Sequence, residues 1–305
     1  MPSFYMHERA ALTSLGELCD KSAAALGACG PDALYFSGAG ELRALGKRLH
    51  CERTSEFLVY ILRACADDAA CRDYAMGFLS HYAVDVAFHP FVYALSTMPL
   101  GYSSLRHIAT ERALDAWLMG VSRVPRASAP DESEISEINA RLGAAIMLWQ
   151  PDTKLDAAEL KRALKRCMGL GGALGRLGGE PGALRVDDEA GMEQLVSPDQ
   201  LQAFALSGWR NPWTGIVSCD GPFELLGAAL KRTDELIAAA RLYWRGMMDE
   251  STLCAVLGDR SYLSGEYWRT SPPPEPLEAG RLRAVKRVFM GEKSKAKKRL
   301  RQVLP

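Results

Sequence analysis

The chain has 305 residues, enough for one large domain or two ordinary ones. Its 48% hydrophobic and 24% charged content is average for a globular protein, which excludes wholesale disorder and fibrous repeats. Thirty-seven Lys/Arg balance 37 Asp/Glu, so the overall charge names no partner. No apolar run approaches the roughly 18 residues that a membrane-spanning helix needs.

The opening Met-Pro-Ser-Phe-Tyr-Met-His-Glu-Arg lacks the apolar stretch and cleavage site of a signal peptide, so a cytoplasmic location is expected. In that setting the eight cysteines (19, 29, 51, 65, 71, 167, 219 and 254) are expected as thiols acting as small buried hydrophobes. None of them form a C-x-x-C pair, which argues against a cysteine zinc site.

Apolar residues at spacings of three and four predict helices over 8–28, stopped by Gly27 to Pro31, and over 41–66, with Thr54 and Ser55 as internal caps. A helix over 69–88 is expected to halt before Pro90, and another over 104–119 to open at Ser103 or Ser104. Residues 122–133 read as a polar, Pro-containing connection. Helices follow over 133–149, 155–170, 198–206 and 222–249. With no run of alternating β-branched residues, the fold class is all-α.

The tract from Gly169 to Gly179 imitates a phosphate-binding loop, but it follows helical sequence and lacks Gly-Lys-Ser/Thr, so it reads as a loosened helix end. From Ser271-Pro-Pro-Pro-Glu-Pro the chain is expected to be a stiff linker, which sets off a domain over 1–270 from a tail over 271–305. Arg281 to Pro305 holds ten Lys/Arg and one acidic residue, so residues 1–280 carry −9. That tail suits weak contact with an anionic surface, or a loose fold onto the acidic body.

All five histidines, His7, His50, His81, His89 and His107, lie in the first 107 residues. In His81-Tyr-Ala-Val-Asp85-Val-Ala-Phe-His89, the i, i+4, i+8 spacing leaves helical offsets of only about 40° and 80°, so all three side chains share one face. His107 and Glu111 repeat the i, i+4 arrangement. Imidazole and carboxylate are zinc's nitrogen and oxygen ligands. Such groups among Phe78, Leu79, Val84, Phe88 and Phe91 need something to pair them, and a multinuclear metal cluster does so.

Assembled, these residues resemble the bacterial zinc-dependent phospholipase C family, which is related to the fungal single-strand nucleases. The matching segments are Met1 to His7, Gly30-Pro31-Asp32, Leu45 to His50, Gly77 to Pro90, His107-x-x-x-Glu111 and Trp209-Arg-Asn-Pro-Trp213. The resemblance implies an all-helical bundle around two or three zinc ions. It implies one zinc on Asp32, His50, His81 and Asp85, and a second on His89, His107 and Glu111. A third would use His7 and share Asp85 as a bridge.

The implied activity is hydrolysis of a phosphodiester, possible substrates including phospholipid, by metal-activated water that Asp32 orients as ligand or base. Asp115, one turn beyond Glu111, is a candidate for orienting a ligand histidine, and Tyr35, Phe36, Tyr82 and Tyr102 are candidates for lining a cleft. Two other readings use the same residues: a single-strand nuclease, and a metal-stabilised helical module without catalysis.

Overall fold

The computed structural model describes residues 4–37, 40–97, 102–122, 124–177 and 196–267. The single helix expected over 8–28 is two. Helix α1 (Phe4–Leu15) stops at Gly16, where a φ of +77° turns the chain. Asp20 then caps α2 (Lys21–Gly27) by accepting from the backbone N–H groups of Ser22 and Ala23. A 3₁₀ turn, Gly30–Phe36, follows with Pro31 near its start. Its tighter repeat escapes a search for the 3.6-residue period.

The stretch 41–66 also divides, into α3 (Glu41–Leu49) and α4 (Thr54–Ala64), at a left-handed Arg53 with φ of +45°. Thr54 and Ser55 are not caps of that break. Thr54 Oγ1 donates to the Arg260 carbonyl at 2.8 Å, and the Ser55 N–H donates to Asp259 at 3.3 Å.

Helix α5 (Ala69–Thr97) continues through Pro90 instead of halting at residue 88. Proline removes one backbone bond and costs about 3 kcal/mol in a helix interior. Packing outweighs that cost, because α5 is enclosed by α1, α2 and two later helices, α6 (Ser104–Ser122) and α10 (Pro222–Trp244). The Val86 carbonyl, which Pro90 cannot satisfy, lies against Gly265.

Ser103 caps α6 by accepting from the Arg106 N–H at 3.3 Å, and Asp131 with Glu134 forms a reciprocal cap on α7 (Glu132–Trp149). Helix α8 (Ala157–Leu177) runs on through Gly169, Gly171, Gly172 and Gly175, so the described part of the glycine tract is helix. Helix α9 (Pro198–Leu206) leads into a hairpin of two-residue strands, β1 (Trp209–Arg210) and β2 (Val217–Ser218), with Trp209 opposite Ser218. The helix expected over 222–249 ends at Trp244, where α10 gives way to a turn through Gly246 and then to α11 (Glu250–Leu257), capped by Asp249.

The all-α class holds, with the hairpin as the sole sheet among the described residues. No helix among them is long and apolar enough to cross a membrane. Gly178 and Gly179, the Pro-rich stretch from Ser271 and the basic tail over 281–305 lie outside the described residues.

Helix α5 is the spine. Its first half packs Tyr74, Phe78 and Tyr82 into a core with Phe57, Trp149 and Tyr262, and its second half packs Phe88 and Phe91 into another with Trp209 and Leu225. Four of the cysteines, Cys29, Cys65, Cys71 and Cys167, are buried in the first core. Helices α2 and α5 touch backbone to backbone. A Cβ on Gly77 would fall 2.2 Å from the Ala24 carbonyl oxygen, so only glycine permits this approach.

Gly77→Ala should therefore lower the stability by about 3 kcal/mol through overpacking. Gly227→Ala, in α10 with nothing within 4 Å of the added methyl, should raise it by roughly 0.5–1 kcal/mol. Urea midpoints of the two variants, moving in opposite directions at constant slope, check this.

Candidate metal centre

The helical spacing of α5 places His81, Asp85 and His89 in one line, all buried in the bundle. Backbone carbonyls orient the rings. His81 Nδ1 lies 2.9 Å from the Ala28 oxygen, His50 Nδ1 2.6 Å from the Gly46 oxygen and His89 Nδ1 2.8 Å from the Tyr262 oxygen. A carbonyl can only accept, so in each ring Nδ1 carries the proton and Nε2 is turned inward. Gly30 makes the first of these approaches possible. It has φ of +53°, and a Cβ there would sit 2.4 Å from His81 Cγ.

The inward nitrogens meet carboxylates. His50 Nε2 is 3.0 Å from Asp32 Oδ1, and His81 Nε2 is 3.1 Å from Asp85 Oδ2 and 3.8 Å from Asp32 Oδ2. His7 Nε2, from α1, reaches Asp85 Oδ1 at 3.2 Å. From α6, Glu111 Oε1 lies 3.2 Å from His107 Nε2 and 3.5 Å from His89 Nε2.

All eight residues singled out in the sequence thus come together. They form three groups, Asp32–His50–His81, His7–His81–Asp85 and His89–His107–Glu111, whose ligand-type atoms lie within 4.8 Å of one another in each case. Asp85 touches both sides of the assembly, since its Oδ2 is also 3.6 Å from His89 Nδ1.

The charges are strongly coupled. Burial opposes ionisation of Asp85, but the charges of His89 and His81 and the close approach of the His7 and His81 nitrogens hold it well below the carboxylate range. Burial likewise disfavours the charged forms of His81 and His89, yet Asp85, with Asp32 on one side and Glu111 on the other, pushes both up to about 9. His7 moves the other way, lowered by burial and by charge on His81, whose ring stacks on it at 4.2 Å. Glu111 is depressed: burial opposes its charge, and His107 more than restores it.

The groups fit metal ions. His7 Nδ1, His81 Nε2, Asp85 Oδ2 and His107 Nδ1 are buried without hydrogen-bond partners among the described residues. His81 Nε2 and Asp85 Oδ2 face one another within ion-pair range but out of hydrogen-bond alignment. Nitrogen and oxygen donors held this close and unsatisfied suit a shared cation of the zinc type.

Of the aromatics considered from sequence, Tyr35 stacks on His50 at 5.3 Å and Tyr102 lies 6.0 Å from His107, so both border the groups. Phe36 packs on Phe4, and Tyr82 is core, donating to the Gly258 carbonyl. Two further rings were not among the cleft candidates, although Trp213 lies in a segment that carried the resemblance. Tyr93 lies 4.9 Å from His107, and Trp213, at the hairpin tip, lies 5.0 Å from Tyr93. Tyr93 sits one helical turn beyond His89, so the spacing along α5 carried a signal for it. Asp115 does not reach a ligand histidine in the contacts described; it accepts from the backbone of α1.

Fold and site together define an all-helical protein whose buried imidazoles and carboxylates lie in groups that could hold metal ions. The family model described as zinc dependent phospholipase C matches residues 6–166, more than half of the chain and the whole span from His7 to Glu111, and the chain belongs to that family. No curated protein and no solved structure matches it.

The elevated histidines set a sign for pH effects. In the metal-free chain His81 and His89, with pKa values of about 9, are charged at neutral pH and would lose that proton on coordinating a metal ion. Their stabilisation of the metal-free fold is complete below the ordinary histidine value of 6.5 and is lost as the pH rises through about 9. The melting temperature of chelator-treated protein should therefore fall across that window, while zinc addition at neutral pH releases protons. Thermal melts and an indicator-dye titration check the two.

Proposed function

We propose that the chain is a zinc-dependent hydrolase of phosphodiesters, with phospholipid headgroup esters as the substrate class. The observation that carries this reading is the convergence of five histidines and three carboxylates into three buried groups within a chain of the zinc-dependent phospholipase C family. In this reading Asp32, His50, His81 and Asp85 hold one ion, His89, His107 and Glu111 hold a second, and His7 with Asp85 holds a third. Zinc there supplies positive charge for the phosphoryl oxygens and acidity for an attacking water.

The chain's own residues supply the rest. Asp32 is fixed by His50 at 3.0 Å while its second oxygen faces His81, so it serves both as ligand and as the group that orients the attacking water. The carbonyls of Ala28, Gly46 and Tyr262 hold the imidazoles rigid, so the donors need not reorganise as charge develops.

A second reading, a single-strand nuclease, is favoured by the Tyr93–Tyr102–Trp213 rings beside His107, because nucleobases stack on aromatic faces. Diacylglycerol release from phosphatidylcholine vesicles supports the first reading. Salt-sensitive cleavage of single-stranded DNA in its place supports the second.

Untagged protein should contain two or three zinc ions and release p-nitrophenol from a phosphodiester in a chelator-sensitive manner. Asp32→Asn should slow that release by about 10²–10⁴-fold. Asp85→Asn should lower zinc content and melting temperature together, since metal binding adds to folding free energy. Fewer than one zinc per wild-type chain, not restored by added metal, would remove the reading.

A further inference from the structure

His7 is the one member of the three groups that arrives on α1, so its position depends on how that helix is held. The first-turn N–H groups of a helix have no intrahelical acceptor. Here Asp115, on α6, supplies one from outside: its Oδ2 accepts from the Tyr5 N–H at 3.2 Å and its Oδ1 from the Met6 N–H at 2.9 Å. Asp115 stands at i+4 from Glu111 and i+8 from His107, so one face of α6 carries two members of the centre and then the cap of the helix that delivers another.

The next residue after His7 is tied to the same neighbourhood. Glu8 is 1% exposed; its Oε2 accepts from Arg126 Nε at 2.8 Å and its Oε1 from the Ala127 N–H at 2.7 Å. The Arg126 guanidinium also covers the Phe4 ring at 5.7 Å, and the Tyr5 hydroxyl donates to the Val124 carbonyl at 2.8 Å.

A buried ion pair adds little stability over an apolar pair of similar shape, because desolvation offsets the attraction. It penalises every arrangement that separates the partners. For α1 the relevant error is a slip along or about its axis: one residue is a displacement of about 1.5 Å and a turn of about 100°, enough to carry His7 away from Asp85.

We propose that Asp115 and the Glu8–Arg126 pair are positioning residues that fix the register of α1 and thereby complete the metal site that His7 shares with Asp85. This rests on the zinc reading above. None of the three touches the reacting atoms; they act through His7.

The test is zinc binding, measured by elemental analysis and by competition with a chromogenic chelator. The proteins are wild type, His7→Ala, Asp115→Ala, the apolar replacement Glu8→Leu/Arg126→Leu, and His7→Ala/Asp115→Ala. Asp115→Ala and the apolar replacement should each weaken one site by about 10–100-fold and leave the others unchanged. His7→Ala should remove the same site, and adding Asp115→Ala to it should change nothing more. Melting of the metal-free variants within a few degrees of wild type would show that the fold is retained.

Unchanged affinity at every site would overturn the proposal. So would loss of all sites together with a collapse in metal-free melting, which is the signature of a purely structural role. A wild-type chain that binds two ions and keeps both in His7→Ala would overturn it as well. A wild-type chain that binds no zinc fails the earlier reading instead, and the first measurement separates that case.

Discussion

Ionising a carboxylate inside a helical core costs several kcal/mol unless positive groups surround it. Asp85 is surrounded by His81 and His89 from its own helix and by His7 from α1. That compensation draws the neighbouring elements in. His81 reaches Asp32 in the 3₁₀ turn, Asp32 binds the last imidazole after α3, and His89 shares Glu111 with α6. In the metal-free state protons balance the negative charges, and in the proposed loaded state zinc does so with the same donor atoms.

The scaffold meets this demand with backbone as much as with side chains. Close packing of α2 on α5 at Gly77 and the left-handed Gly30 bring the Ala28 carbonyl to His81, and the segment after α11 brings the Tyr262 carbonyl to His89. Pro90 follows His89 directly and leaves the Val86 carbonyl without its usual donor. The helix survives because its faces are buried on several sides, a long-range effect that outweighs a local rule.

This explains which parts were legible in sequence. His81, Asp85, His89, His107 and Glu111 announce themselves because helical spacing is local and their residue types suit a metal. Asp32, His50 and His7 lie in a 3₁₀ turn, at a helix C-terminus and on a separate first helix, where no periodicity says which way they face; only the family resemblance pointed to them. The orienting carbonyls were invisible, because every residue but its side chain looks the same there. Helix ends were missed where a left-handed residue (Gly16, Arg53, Gly246) broke an otherwise continuous apolar pattern. Glu8 and Arg126 stand 118 residues apart, and the fold alone brings them together.

The hydrogen bond from His89 to Tyr262 has a consequence for synthesis. Every side chain of the centre is encoded before residue 112, yet the carbonyl that aims His89 comes after the final described helix, beyond the matched span of residues 6–166. The Tyr262 N–H also donates to the His50 carbonyl at 2.8 Å, so one late strap secures two early histidines. A nascent chain therefore carries its full complement of donors before the carbonyl that aims His89 has been made. Completion of the centre is timed by the end of the body, which delays it until the surrounding bundle is present to enclose it.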